Sequence, residues 1–78
     1  MSTLTEISEA MQRGRAKLIK TLVPQALEEG IPAQEILQDG LLAGMDVVGR
    51  KFKANEIFVP EVLVAARAMN VGAELLKP

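Results

Sequence analysis

Apolar residues recur at three- and four-residue intervals along almost the whole chain, the period of helices with one buried face. Leu4, Ile7, Ala10 and Met11 carry the first stripe. Thr3 and Glu6 ahead of it have the spacing of a capping box. Gly14 is placed to stop this short first helix. A second stripe, Leu18, Ile19, Leu22, Val23, Ala26 and Leu27, predicts a helix over about residues 15–29. Pro24 lies inside it and predicts a kink, because proline removes one backbone hydrogen bond and crowds the preceding turn. Gly30 reads as a left-handed stop, and Pro32 suits the first turn of the next helix.

That third helix is predicted to reach about Lys53, roughly 33 Å at about 1.5 Å per residue. Ile36, Leu37, Leu41, Met45, Val48 and Phe52 form its apolar face. Gly40, Gly44 and Gly49 interrupt it, each costing about 1 kcal/mol relative to Ala. Two reasons for them stay open: close approach of a neighbouring helix, or a flat ligand lying nearby. Ala54-Asn55-Glu56 reads as a turn, and Pro60 as the first residue of a fourth helix. Val62, Leu63, Ala66, Met69, Ala73 and Leu76 are its expected inward face. The fold class is therefore all-α: one domain over residues 1–78, a four-helix bundle with a short first helix and antiparallel neighbours.

Composition narrows what such a bundle can do. A chain of this length buries only roughly 60–65% of its unfolded surface. It has no Cys and no His, so neither a disulfide nor the usual zinc site can staple it. The same absence removes the commonest general base and the best thiolate nucleophile, which makes a catalytic role of its own unexpected. Nine basic and ten acidic residues are interspersed, with a net charge of −1 and no basic stripe. Nucleic acid is not an expected partner. No apolar run could span a bilayer and no signal peptide is evident, so a soluble cytoplasmic protein with no membrane partner is expected.

The two aromatic residues, Phe52 and Phe58, fall within seven residues, together with Ile57 and Val59. Turns are usually polar, so this one is anomalous. It is either a plug closing the bundle end or a docking surface for an apolar or planar ligand, or for a second domain. Glu56 and Glu61 read as a turn residue and a helix-start charge rather than a carboxylate pair. Asp39 and Asp46 lack further ligands, and no metal site is expected. Arg13, Arg15, Lys17 and Lys20, like Arg50, Lys51 and Lys53, read first as solvated faces.

The run from Gly44-Met45 through Val48-Gly49, Phe52, Phe58-Val59-Pro60-Glu61-Val62 and Ala65-Ala66-Arg67-Ala68-Met69 resembles the N-terminal helical cap of corrinoid (vitamin B12) methyltransferase proteins. Ala26-Leu27-Glu28-Glu29-Gly30-Ile31-Pro32 and Ile36-Leu37 fit the same pattern. That family includes the corrinoid subunits of methanol, methylamine and aryl-ether methyltransferase systems and the cobalamin module of methionine synthase. The resemblance implies a non-catalytic methyl-carrier component, whose helices cover the upper face of a cobalamin-type corrinoid and shield its cobalt-bound methyl group. It implies that Phe52, Val59 and Val62 lie over that face, that Phe58 packs behind them, and that Met45 belongs with the cofactor-binding set. The implied partners are a Rossmann-like corrinoid-binding domain of the same protein and methyltransferase subunits. In the family that second domain carries an Asp-x-His-x-x-Gly motif whose histidine ligates cobalt. This chain has no such motif, and it is expected to be a fragment of a longer protein. Ala54-Asn55 stands where the family often has a Gly-containing or small turn. A different class of function also fits the residues: a helical interaction module that forms a homodimer through the Phe52–Val62 surface.

Overall fold

A computed structural model describes residues 2–77. It contains four helices and, among the described residues, no strand: α1 (Thr3–Gln12), α2 (Ala16–Glu28), α3 (residues 33–53) and α4 (Val59–Leu76). The longest extent of the fold is 37 Å, against 21 and 17 Å in the other directions. At about 1.5 Å per residue, α3 and α4 placed end to end would exceed that length, so the chain must fold back on itself. α1 packs on α2 and α3, and α4 packs on α2 and α3.

Three helices end in the same way. Gly14 at φ +66° and Gly30 at φ +86° follow the last turns of α1 and α2. Arg15 N–H donates to Ala10 C=O at 2.9 Å, and Ile31 N–H to Ala26 C=O at 3.1 Å. These bonds satisfy carbonyls that a helix end would otherwise leave open. At the end of α3 the left-handed position is taken by Asn55, φ 62°, with Glu56 N–H donating to Lys51 C=O at 2.9 Å. Asparagine tolerates this conformation better than most side chains. The stops and the turn thus fall where the sequence places them.

The cap of α1 does not. Ser2, not Thr3, is the N-cap, its Oγ accepting from Thr5 N–H at 3.2 Å. Thr3 is instead buried, and its hydroxyl donates to the Glu29 carboxylate, 2.8 and 2.9 Å from the two oxygens. The hydroxyl expected to start one helix therefore ties it to the end of the next. Pro24 lies on the exposed side of α2, and the helix runs through it without a break.

α3 is not uniform. A single α-turn, Ala33–Glu35, leads into a π-helical stretch, Ile36–Leu42, before α-geometry resumes over Ala43–Lys53. The wider π-turn brings Ile36, Gly40 and Leu41 together on the buried side. A Cβ at Gly40 would lie 3.0 Å from Ile7 Cγ2, and one at Gly44 only 2.5 Å from Met11 Cβ and 2.7 Å from the Ser8 carbonyl. At these two positions close approach of α1 is the reason for glycine.

The core joins Ile7, Ala10 and Met11 of α1, Ile19, Val23 and Ala26 of α2, Ile36 and Leu41 of α3, and Ala68 of α4. In α4 the buried residues are Ala65, Ala68 and Gly72. This corrects the expected inward face. Met69 and Leu76 do pack against the core, but Leu63 is 58% exposed. A Cβ at Gly72 would sit 2.6 Å from Leu41 Cδ1, so α4 settles on its smallest residues and carries Leu63, Val64 and Leu75 outward.

Candidate functional site

The turn between α3 and α4 is built from a helix end, a left-handed asparagine and an extended residue. Phe52 occupies the last turn of α3. Asn55 reverses the chain, and Phe58 (φ −111°, ψ 168°) is the N-cap of α4. Val59 is the first helical residue, so Pro60 stands second rather than first, still within the turn whose N–H groups need no helical partner. Glu61 follows at the positive end of the helix dipole, and Arg50, Lys51 and Lys53 lie at the negative end of α3.

These elements leave a set of apolar side chains in solvent. Phe58 is 71% exposed, Val59 54% and Phe52 43%. Val59, Val62 and Leu63 are spaced to share one face of α4. The reading of this turn as a plug is therefore corrected: neither aromatic residue closes the bundle, because the core is already filled by the residues named above. Phe58, the extended N-cap of α4, is the most exposed of the large apolar residues among the described ones. Of the five residues assigned to the cofactor, Phe52, Phe58 and Val59 are open, while Val62 and Met45 are half-buried. Met45 packs against the core from its edge.

Leu63 and Val64 were missed as surface residues, and both are exposed. The spacing of Leu63 from Val59 was the available signal. Gly49 was grouped with the other α3 glycines, yet it differs from them. It is exposed, and a Cβ there would meet nothing within 4 Å.

The charged groups nearby are weakly engaged. Arg50 pairs with Asp46 at 2.8 Å, both largely exposed, an interaction worth at most about 0.5 kcal/mol. Two concavities lie elsewhere. One of about 230 Å³ between α1 and α2 is lined by Glu6, Glu9, Ala10, Arg13, Leu18 and their neighbours. Another is bounded by Gln12, Arg13, Glu61 and Val64. Neither includes Phe52, Phe58 or Val59. No helix among the described residues is long and apolar enough to cross a membrane.

A four-helix bundle with a filled core and one open aromatic end has the form of a helical cap. Residues 3–77 match the family described as B12 binding domain, and the chain belongs to that family. It is 36% identical to a corrinoid protein of Desulfitobacterium hafniense (strain Y51), over all of this chain and 36% of that protein. It is 46% identical over 57 residues to monomethylamine corrinoid protein 2 of Methanosarcina barkeri, covering 73% of this chain and 26% of the relative. The structure of the Methanosarcina barkeri monomethylamine corrinoid protein superposes with a TM-score of 0.88 at 35% identity, over 91% of this chain and 34% of that one. The chain thus spans about a third of the length of the first of these relatives and of the solved structure.

Proposed function

We propose that this chain is the helical cap of a cytoplasmic corrinoid methyl-carrier protein, working with a Rossmann-like corrinoid-binding domain of the same polypeptide and with methyltransferase subunits. The observation that carries the reading is the open face of Phe52, Phe58, Val59 and Leu63 beside a core that has no need of them. Burying one such side chain contributes about 1.5–3 kcal/mol, so a cover for this end would be strongly favoured. The likeness of the whole chain to corrinoid proteins supports a corrinoid as that cover.

The residues present fit such a group in one particular way. The chain has no His or Cys, so it offers no strong ligand to a metal. It can lie over the upper face of the ring and keep water out. When bound, the corrinoid supplies the cobalt that carries the methyl group, and the protein supplies position and shelter. Phe52, Val59 and Val62 are the residues proposed to rest over that face. Phe58 is proposed to pack behind them once the ring is in place. Met45, two turns before Phe52 on α3, is proposed to belong to the same cofactor-binding set. For a methyltransferase to reach the methyl group the cap must lift away, a lid motion. The methyl donor belongs to the methanol, methylamine or aryl-ether group, and the names of the Methanosarcina relatives favour the methylamines.

The test is the oxidation rate of the reduced corrinoid in the full-length protein. Phe52→Ala and Val59→Ala should each speed oxidation while the helical circular dichroism stays the same. Unchanged rates in both variants would remove the assigned role. The same open face also supports self-association of two copies when nothing covers it. Sedimentation at increasing concentrations of the corrinoid-free chain would show a dimer if so, and a monomer throughout if not.

A further inference from the structure

The glycines of α3 separate into two kinds. Gly40 and Gly44 have a cause inside the chain, because α1 occupies the space a side chain would need. Gly49 has none. Its φ is not positive, it lies in the middle of the α-helical stretch Ala43–Lys53, and open space surrounds the position of its missing Cβ. A helix interior disfavours glycine, so the chain carries a cost there that its own packing does not explain. At spacings of four and three residues, Gly49 falls between Met45 and Phe52 on one face of α3. It is thus a bare stretch of backbone beside the exposed aromatic surface.

We propose that Gly49 is the point at which the edge of the corrinoid ring passes against the backbone of α3, and that its missing side chain sets how closely the cap shuts. The proposal rests on the corrinoid-cap reading above. The chemistry of the surroundings favours a ring over a polypeptide loop. A loop at that place would bring backbone N–H and C=O groups against Phe52, Phe58 and Val59, none of which can pair with them. The face of a corrin ring brings no backbone groups against those side chains, its amides lying at the periphery, and the family's description as a B12 binding domain names that occupant.

The experiment uses the full-length protein with and without hydroxocobalamin. Without corrinoid, Gly49→Ala should raise the unfolding midpoint by about 2–4 °C, since alanine improves the helix and meets no neighbour. Gly49→Leu should leave the corrinoid-free cap folded. With corrinoid, Gly49→Leu should speed oxidation of the reduced cofactor at least about fivefold, the signature of a cap held ajar. Phe52→Ala serves as the companion variant. If Phe52→Ala speeds oxidation and Gly49→Leu does not, the role of Gly49 is overturned and the cap reading stands. If neither does, both fall. If Gly49→Leu loosens the cap equally without corrinoid, glycine serves a protein contact and the proposal is overturned.

Discussion

The region where α1 packs on α3 and the end where α3 turns into α4 use similar residues to opposite effect. At the first, Ile7 and Met11 fill the space left by Gly40 and Gly44, and Leu41, with no exposure at all, fills the space left by Gly72. At the second, Phe52 and Phe58 are exposed, and a Cβ at Gly49, one turn before Phe52, would meet nothing within 4 Å. One region is finished by folding. The other is finished only by whatever settles on it. A hydrophobic residue therefore does not declare its own role; the role depends on whether the chain supplies a partner.

This contrast can be broken at several points. The largest effect should come from Leu41→Ala, which removes a fully buried side chain from the finished region. A loss of about 2–5 kcal/mol is expected, read by urea unfolding, and for so small a domain that is much of its stability. A loss under about 1 kcal/mol would mean that this region is not closed. Gly44→Ala should come next. The new methyl group meets Met11 Cβ and the Ser8 carbonyl, so α1 must shift, at about 1–3 kcal/mol. The smallest effect on stability should come from Phe58→Ala, within about 0.5 kcal/mol, because the ring is largely in water. Yet the same change should weaken any dimer of the corrinoid-free chain seen by sedimentation. A large loss of stability in Phe58→Ala would show that the open end is part of the core after all.

Some of this was legible in residue order. The helix ends at Gly14 and Gly30, the turn at Ala54-Asn55-Glu56 and the four stripes follow from local backbone preference and from a period that any amphipathic helix must show. The anomaly of an apolar turn was legible too, and the family motif pointed to the same residues. Other features turned on contacts between distant segments. Thr3 looked like a cap until Glu29, far along the chain, was found to hold its hydroxyl. Nothing in Ile36–Leu42 announced a π-helix, whose wider turn puts Gly40 against α1 and Leu41 against Gly72 of α4.

The orientation of α4 shows the difference most plainly. Periodicity points to the largest apolar residues as the buried face, and so selects Leu63. Close packing between helices selects the smallest, and so buries Ala65, Ala68 and Gly72. By itself the sequence determined that there are four helices, where they stop and which turn is unusual, because those properties are written in neighbouring residues. Only the tertiary structure decided which apolar residues find partners within the chain and which, like Phe52, Phe58 and Leu63, are left facing outward. That outcome depends on the space remaining once four helices share one core, a quantity no single segment contains.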